Sequence, residues 1–156
     1  FPYTTLFRSI NMQTFLPYSD FRESAEALDK QHCWKQVVEA SQIIQVLEGK
    51  QTAWRNHPAV KMWEGYIPAL KKYFNVFLDT CIVKHNINTK YQPFLIDKKE
   101  IKFPWWLGHE DFHRAMRSRL IQKQPNVYLP LWKEDNRFND SKYFWPVNET
   151  KTFKTI

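Results

Sequence analysis

The sequence predicts an all-α domain, a compact bundle of three main helices followed by a long, aromatic, irregular C-terminal tail. Three observations carry this. Apolar residues recur at three- and four-residue steps over three long stretches, the mark of helices with one buried face. Glycine is scarce, 3 residues against 12 Phe, 7 Tyr and 7 Trp, which argues against a turn-rich all-β design and against a glycine-rich phosphate loop. A chain of 156 residues with 43% hydrophobic content suits one domain around one core.

The elements follow in order. Residues 1–11, FPYTTLFRSIN, read unlike the rest: YTTLFRS is what a common sequencing adapter gives when translated. The segment is expected to be a non-native leader, with a single helical domain over residues 12–156 that begins at Met12. Ser19 or Asp20 can cap a short helix, FRESAEALD. A long helix is expected from about Lys30 to Glu48, with Gly49 as its stop and Cys33, Val37, Ala40, Ile44 and Leu47 as its stripe. Glu39 falls beside that stripe, a carboxylate near the edge of the core, with Lys35 four residues back as an ordinary ion-pair partner.

Trp54–Asn86 is the rod against which the rest must pack. Pro58 suits its first helical position, and Val60, Trp63, Ile67, Leu70, Phe74, Phe77 or Leu78, and Cys81 form its stripe. Gly65 and Pro68 are expected to kink it or split it into a short and a long piece. Residues 87–103 read as a lysine-rich loop, with Tyr91–Ile96 as a candidate extended segment. A third main helix is expected from about His109 to Lys123, ended by Pro125, with Phe112, Met116 and Leu120 facing inward. His113, Arg114 and Arg117 are placed on the other arc, where they either grip phosphates or form a solvated face. The tail interleaves Tyr128, Trp132, Phe138, Tyr143, Phe144 and Trp145 with Lys133, Arg137 and Lys142. Such rings either stack on unpaired bases or cap the core.

A net charge of +7 favours an anionic partner, nucleic acid before membrane. No apolar run reaches membrane-spanning length. Cys33 and Cys81 each fall on an apolar stripe and read as reduced core residues of an intracellular protein. Neither a cofactor motif nor a metal site is expected. His109–His113, HEDFH, formally matches the HExxH of metalloproteases, but no third ligand is evident and Glu is common at a helix start. A metal hydrolase is kept as the weakest reading.

MQTFLPYSDF, DKQHCWKQVVEA, WRNHPAVKMW and FHRAMRSRLIQKQPNVY, in this order and spacing, resemble the pyrimidine dimer DNA glycosylase family, whose founding type is the bacteriophage endonuclease V class. The resemblance runs from Met12 to about Pro146 and is strongest to the bacterial and viral branch beginning MQTFLPY. It implies an all-α fold of three main helices. It also implies an enzyme that bends duplex DNA and attacks the sugar carbon of a damaged nucleoside with its N-terminal α-amine. The resulting Schiff base permits β-elimination, with an essential glutamate whose place Glu39 occupies, seven residues after His32.

There are departures. The branch usually reads D-x-x-R-L-G-K-Q-R-V-E, whereas here His32 and Val37 replace two arginines and Trp34 the glycine; Val38 and Gln42 stand where the founding enzymes carry phosphate-holding arginines. The expected catalytic groups are therefore the amine of Met12, or of Gln13 if the methionine is removed, and the carboxylate of Glu39. The expected DNA contacts are His32, Lys35, His57, His113, Arg114 and Arg117, with His57 equally suited to cap a helix start. The expected partner is double-stranded DNA carrying damaged or abasic nucleotides, bound by a monomer without a cofactor. The alternative is the same fold used to hold nucleic acid without cutting it.

Overall fold

The computed structural model describes residues 12–97, 99, 101–138 and 144–155; the leader expected at residues 1–11, and Lys142 and Tyr143 of the tail, lie outside them. Among the described residues the order is α1 (Phe21–Ala27), α2 (Lys30–Leu47), α3 (Pro58–Lys61), α4 (Ile67–Val83), α5 (Glu110–Lys123), α6 (Pro125–Tyr128), a 3-10 turn (Lys133–Asp135), β1 (Phe144–Val147) and β2 (Thr152–Thr155). The protein is mainly helical, as the periodicity predicts.

Local chemistry sets the boundaries. Asp20 caps α1 by accepting the Glu23 N–H at 3.0 Å. After α2, Gly49 takes φ +80°, and the N–H groups of Gly49 and Lys50 donate back to Val46 and Gln45. This double bond satisfies carbonyls that the helix end would otherwise orphan, and the left-handed turn it requires suits glycine. His57 caps α3 through its own ring, Nδ1 accepting the Ala59 N–H at 3.0 Å with Pro58 next. Gly65, at φ +86°, separates α3 from α4, so the expected rod is two helices rather than a kinked one.

The core lies where α2 crosses α4. Cys33, Val37, Ala40 and Ile44 meet Leu70, Phe74, Phe77 and Cys81, with Trp63, Tyr73 and Trp106 buried around them. The candidate extended segment Tyr91–Ile96 forms no strand; Asn75 of α4 pins it instead through two 2.8 Å hydrogen bonds to the Phe94 backbone. The tail is more ordered than its sequence suggested. Its last residues form an antiparallel hairpin, Phe144 opposite Thr155 and Val147 opposite Thr152. Phe153 of that hairpin packs on Trp105, His109 and Phe112, so these rings cap the helical core.

Candidate active site

Residues 12–16 form no strand pairing and no helix, yet Met12, Gln13, Thr14, Phe15 and Leu16 are all buried. Buried backbone must find partners. Here the partners are side chains from elements far along the chain. Gln13 N–H donates to Glu39 Oε1 at 3.1 Å, and Phe15 N–H to Gln36 Oε1 at 3.0 Å. The Trp63 indole donates to Thr14 Oγ1 at 2.9 Å. His113 Nδ1 lies 2.7 Å from the Leu16 carbonyl, and Arg117 donates to the Pro17 carbonyl at 2.6 Å. The N-terminal segment is thus a strap, gripped at five successive residues.

At the head of the strap stands Glu39. It is buried, at 1% exposure, deeper than the core edge predicted for it. A cleft of about 380 Å³ opens over it, lined by Gln31, Trp34, Lys35, Val38 and Glu39. A second cavity of about 720 Å³, lined among others by Asp29, Asn86 and Ile87, shares Gln31 and Trp34 with the first. Lys35 Nζ is 3.9 Å from Glu39 Oε2. The end of α5 brings in further cations. Partial burial lowers the pKa of the Lys123 ammonium, the positive charges of Arg119 and Lys35 lower it further, and Glu39 acts in the opposite direction. Lys35 thus pairs with Glu39, and Lys123 lies within the electrostatic reach of Arg119, Lys35 and Glu39. The excess positive charge suits a phosphate.

The Gln13 nitrogen touches the carboxylate. Met12 is one residue beyond, and with adjacent Cα atoms about 3.8 Å apart its nitrogen is within roughly 7 Å of Glu39 Oε1.

The other residues singled out from sequence are placed differently. His113 is not on a solvent arc: it is 3% exposed, and both ring nitrogens are engaged. Nδ1 donates to Leu16 O and Nε2 accepts the Gly108 N–H at 2.9 Å, an arrangement only neutral histidine can make. Burial lowers its pKa, with the charge of Arg117 acting the same way. Arg117 is equally committed, donating to Asp135 at 2.6 Å and Glu110 at 2.8 Å besides Pro17. Arg114 donates to Asp135 at 2.8 Å and stacks its guanidinium 4.2 Å above the Phe138 ring. These three residues join α5 to the strap and tail instead of forming a separate polar face. His32 pairs with Asp29 at 2.7 Å, and Asp29 also accepts the Tyr128 hydroxyl. His57 lies edge-on to Trp145 besides capping α3. The HEDFH pair offers no imidazole nitrogen at His113 for a metal, and Glu110 pairs with Arg117. Cys33 and Cys81 are buried free thiols in contact across the α2–α4 interface.

Sequence reading missed Arg119 and Lys123. They are four residues apart and so share a helix face, a signal the sequence did contain. The strap itself carried no comparable signal, because its partners are remote in the chain.

Fold and site together define a mainly helical, basic domain in which a chain segment presents backbone nitrogen to a buried carboxylate beneath a cleft lined by Lys35. Residues 12–92, more than half of the chain, match the family described as pyrimidine dimer DNA glycosylase, and the chain belongs to that family. The match begins at the strap and takes in α2 with Glu39 and the whole of α4. Membership places the chain among DNA-repair glycosylases directed at pyrimidine dimers, with DNA as the substrate. No curated protein and no solved structure matches it. Among the described residues, no helix is long and apolar enough to cross a membrane.

Proposed function

We propose that the chain is a DNA glycosylase with abasic-site lyase activity, and that its nucleophile is the α-amine of a form beginning at Met12, or at Gln13 if the methionine is removed. The observation that carries this is the 3.1 Å contact between the Gln13 nitrogen and Glu39 Oε1. An α-amine has a pKa of about 7.7–8.0, so a useful fraction is neutral and nucleophilic at pH 7. It attacks the sugar C1′, the glycosidic bond breaks, and the base departs with the bonding electrons. Loss of the ring oxygen as a hydroxyl leaves an iminium. Removal of a C2′ proton then expels the 3′ phosphate.

Glu39 lies where it can move these protons and stabilise the cationic centre in a site shielded from water. Lys35, Arg119 and Lys123 supply the phosphate contacts that the departures at Val38 and Gln42 remove. A lesion-bearing duplex opens at less cost than an intact one, which favours damaged or abasic DNA as substrate.

The test is borohydride trapping on an abasic duplex with protein beginning at Met12. A covalent adduct is expected, reduced about 10²-fold or more by Glu39→Gln with DNA binding kept. The missing arginines of α2 favour the rival reading, a binder that does not cut. DNA binding without any adduct would establish that rival.

A further inference from the structure

We infer that Gln36, braced by Tyr73, is a positioning residue for the amine, fixing the register of the strap so that the Gln13 nitrogen meets Glu39 and a Met12 amine stands one residue beyond it. The inference rests on the amine–Glu39 reading above.

Gln36 is 1% exposed and stands three residues before Glu39, one turn away on the same face of α2. Its Oε1 accepts two donors, Phe15 N–H at 3.0 Å and Tyr73 Oη at 2.5 Å. Along an extended chain, Gln13 and Phe15 present their N–H groups to the same side. Two acceptors on one helix therefore read two alternate amides of the strap. On the other side, Thr14 is fixed by the Trp63 indole. A slip of one residue would offer the wrong amides to both acceptors and turn each strap side chain to the opposite side. The register is thereby determined, and with it which nitrogen faces the carboxylate.

Packing alone does not account for a glutamine here. Its Nε2 is buried without a hydrogen-bond partner among the described residues. Such an orphaned donor costs about 1–3 kcal/mol, and a leucine of similar reach would avoid it. What the amide supplies is the oxygen. Tyr73 keeps that oxygen in place: burial, and next the charge of Glu39, push its phenol well above the ordinary value, so it stays a donor throughout the working pH range.

The experiment compares wild type with Gln36→Leu, both beginning at Met12. The core cluster runs from Met12 to Trp145, so this form retains it entire. Circular dichroism melts establish folding, and borohydride-trapping rates are then measured at saturating abasic duplex alongside the Kd for that duplex. The expected result is a trapping rate at saturation lowered about 10-fold or more, since a displacement of 1 Å can cost about 10²-fold, with Kd changed less than twofold. Should Gln36→Leu fail to fold, Tyr73→Phe carries the test. It leaves the acceptor and removes its brace, and a drop of threefold or more at saturation is expected. Wild-type trapping with an unchanged variant rate, or a loss that saturating DNA restores, overturns the positioning role and leaves the amine reading standing. Absence of wild-type trapping overturns the amine reading itself.

Discussion

Helix α5 carries two sets of basic residues that look alike in sequence and do different work. His113, Arg114 and Arg117 are enclosed by Leu16, Pro17, Gly108, Glu110 and Asp135. Arg119 and Lys123 stand instead in the field of Glu39 and Lys35, where like charges crowd. The lesson is that a cation's partners, not its presence, decide its role. A guanidinium already matched to carboxylates and carbonyls holds the fold together. Lys35 and Lys123 lie instead in a region of net positive charge beside Glu39, which favours an anion.

That contrast can be broken by experiment. Replacing Arg119 and Lys123 together with alanine is expected to weaken abasic-duplex binding about 10-fold or more. The slope of log K against log salt should fall by about 2, read from titrations at several salt concentrations. Arg114→Ala should leave that slope unchanged; an equal fall there would erase the distinction.

Arg117→Met tests the other set. It deprives Asp135, itself 6% exposed, of one of its two arginines, and a loss on the order of 3 kcal/mol is expected in denaturant unfolding.

A pH series sharpens the comparison further. The folded His113 has a pKa below its ordinary value of 6.5, so below that value the unfolded chain binds more protons. This contribution to stability is present above pH 6.5 and is lost as pH falls below it, until the folded group also protonates. Protonation would set Nε2–H against the Gly108 N–H and break that contact, while Nδ1–H keeps its bond to the Leu16 carbonyl. Thermal melts from pH 7.5 to 5 should show the decline. His113→Gln should flatten part of it, with His85, whose pKa burial also lowers, and, towards pH 5, the ion-paired Asp29 and Glu48 carboxylates contributing to the remainder.

The smallest effect on stability is expected from Lys35→Ala. At 3.9 Å in an i,i+4 pair, about 0.2–0.5 kcal/mol is at stake, read as a slight shift in melting midpoint.

Much of the fold was legible because it rests on local rules. The stripe of α2, the stop at Gly49 and the start at Pro58 each follow from a few neighbouring residues. Glu39 was legible as a carboxylate beside that stripe. What escaped had remote causes. The strap is buried because Gln36, Glu39, Trp63, His113 and Arg117 each satisfy part of it, and no local pattern announces such partners. His113 was misplaced because its polarity outweighed its position. It stands three residues before Met116 and seven before Leu120, on the core side of α5. The tail hairpin has only four residues per strand, and its sequence carries no clear alternation to reveal it.

The central claim is a free α-amine at the head of the strap, acting beside Glu39. Its most direct test is borohydride trapping on an abasic duplex with two forms of the protein, one beginning at Met12 and one retaining residues 1–11. The account predicts an adduct with the first, mapped by mass spectrometry to Met12 or Gln13, and little or none with the second. Equal trapping by both forms would contradict it.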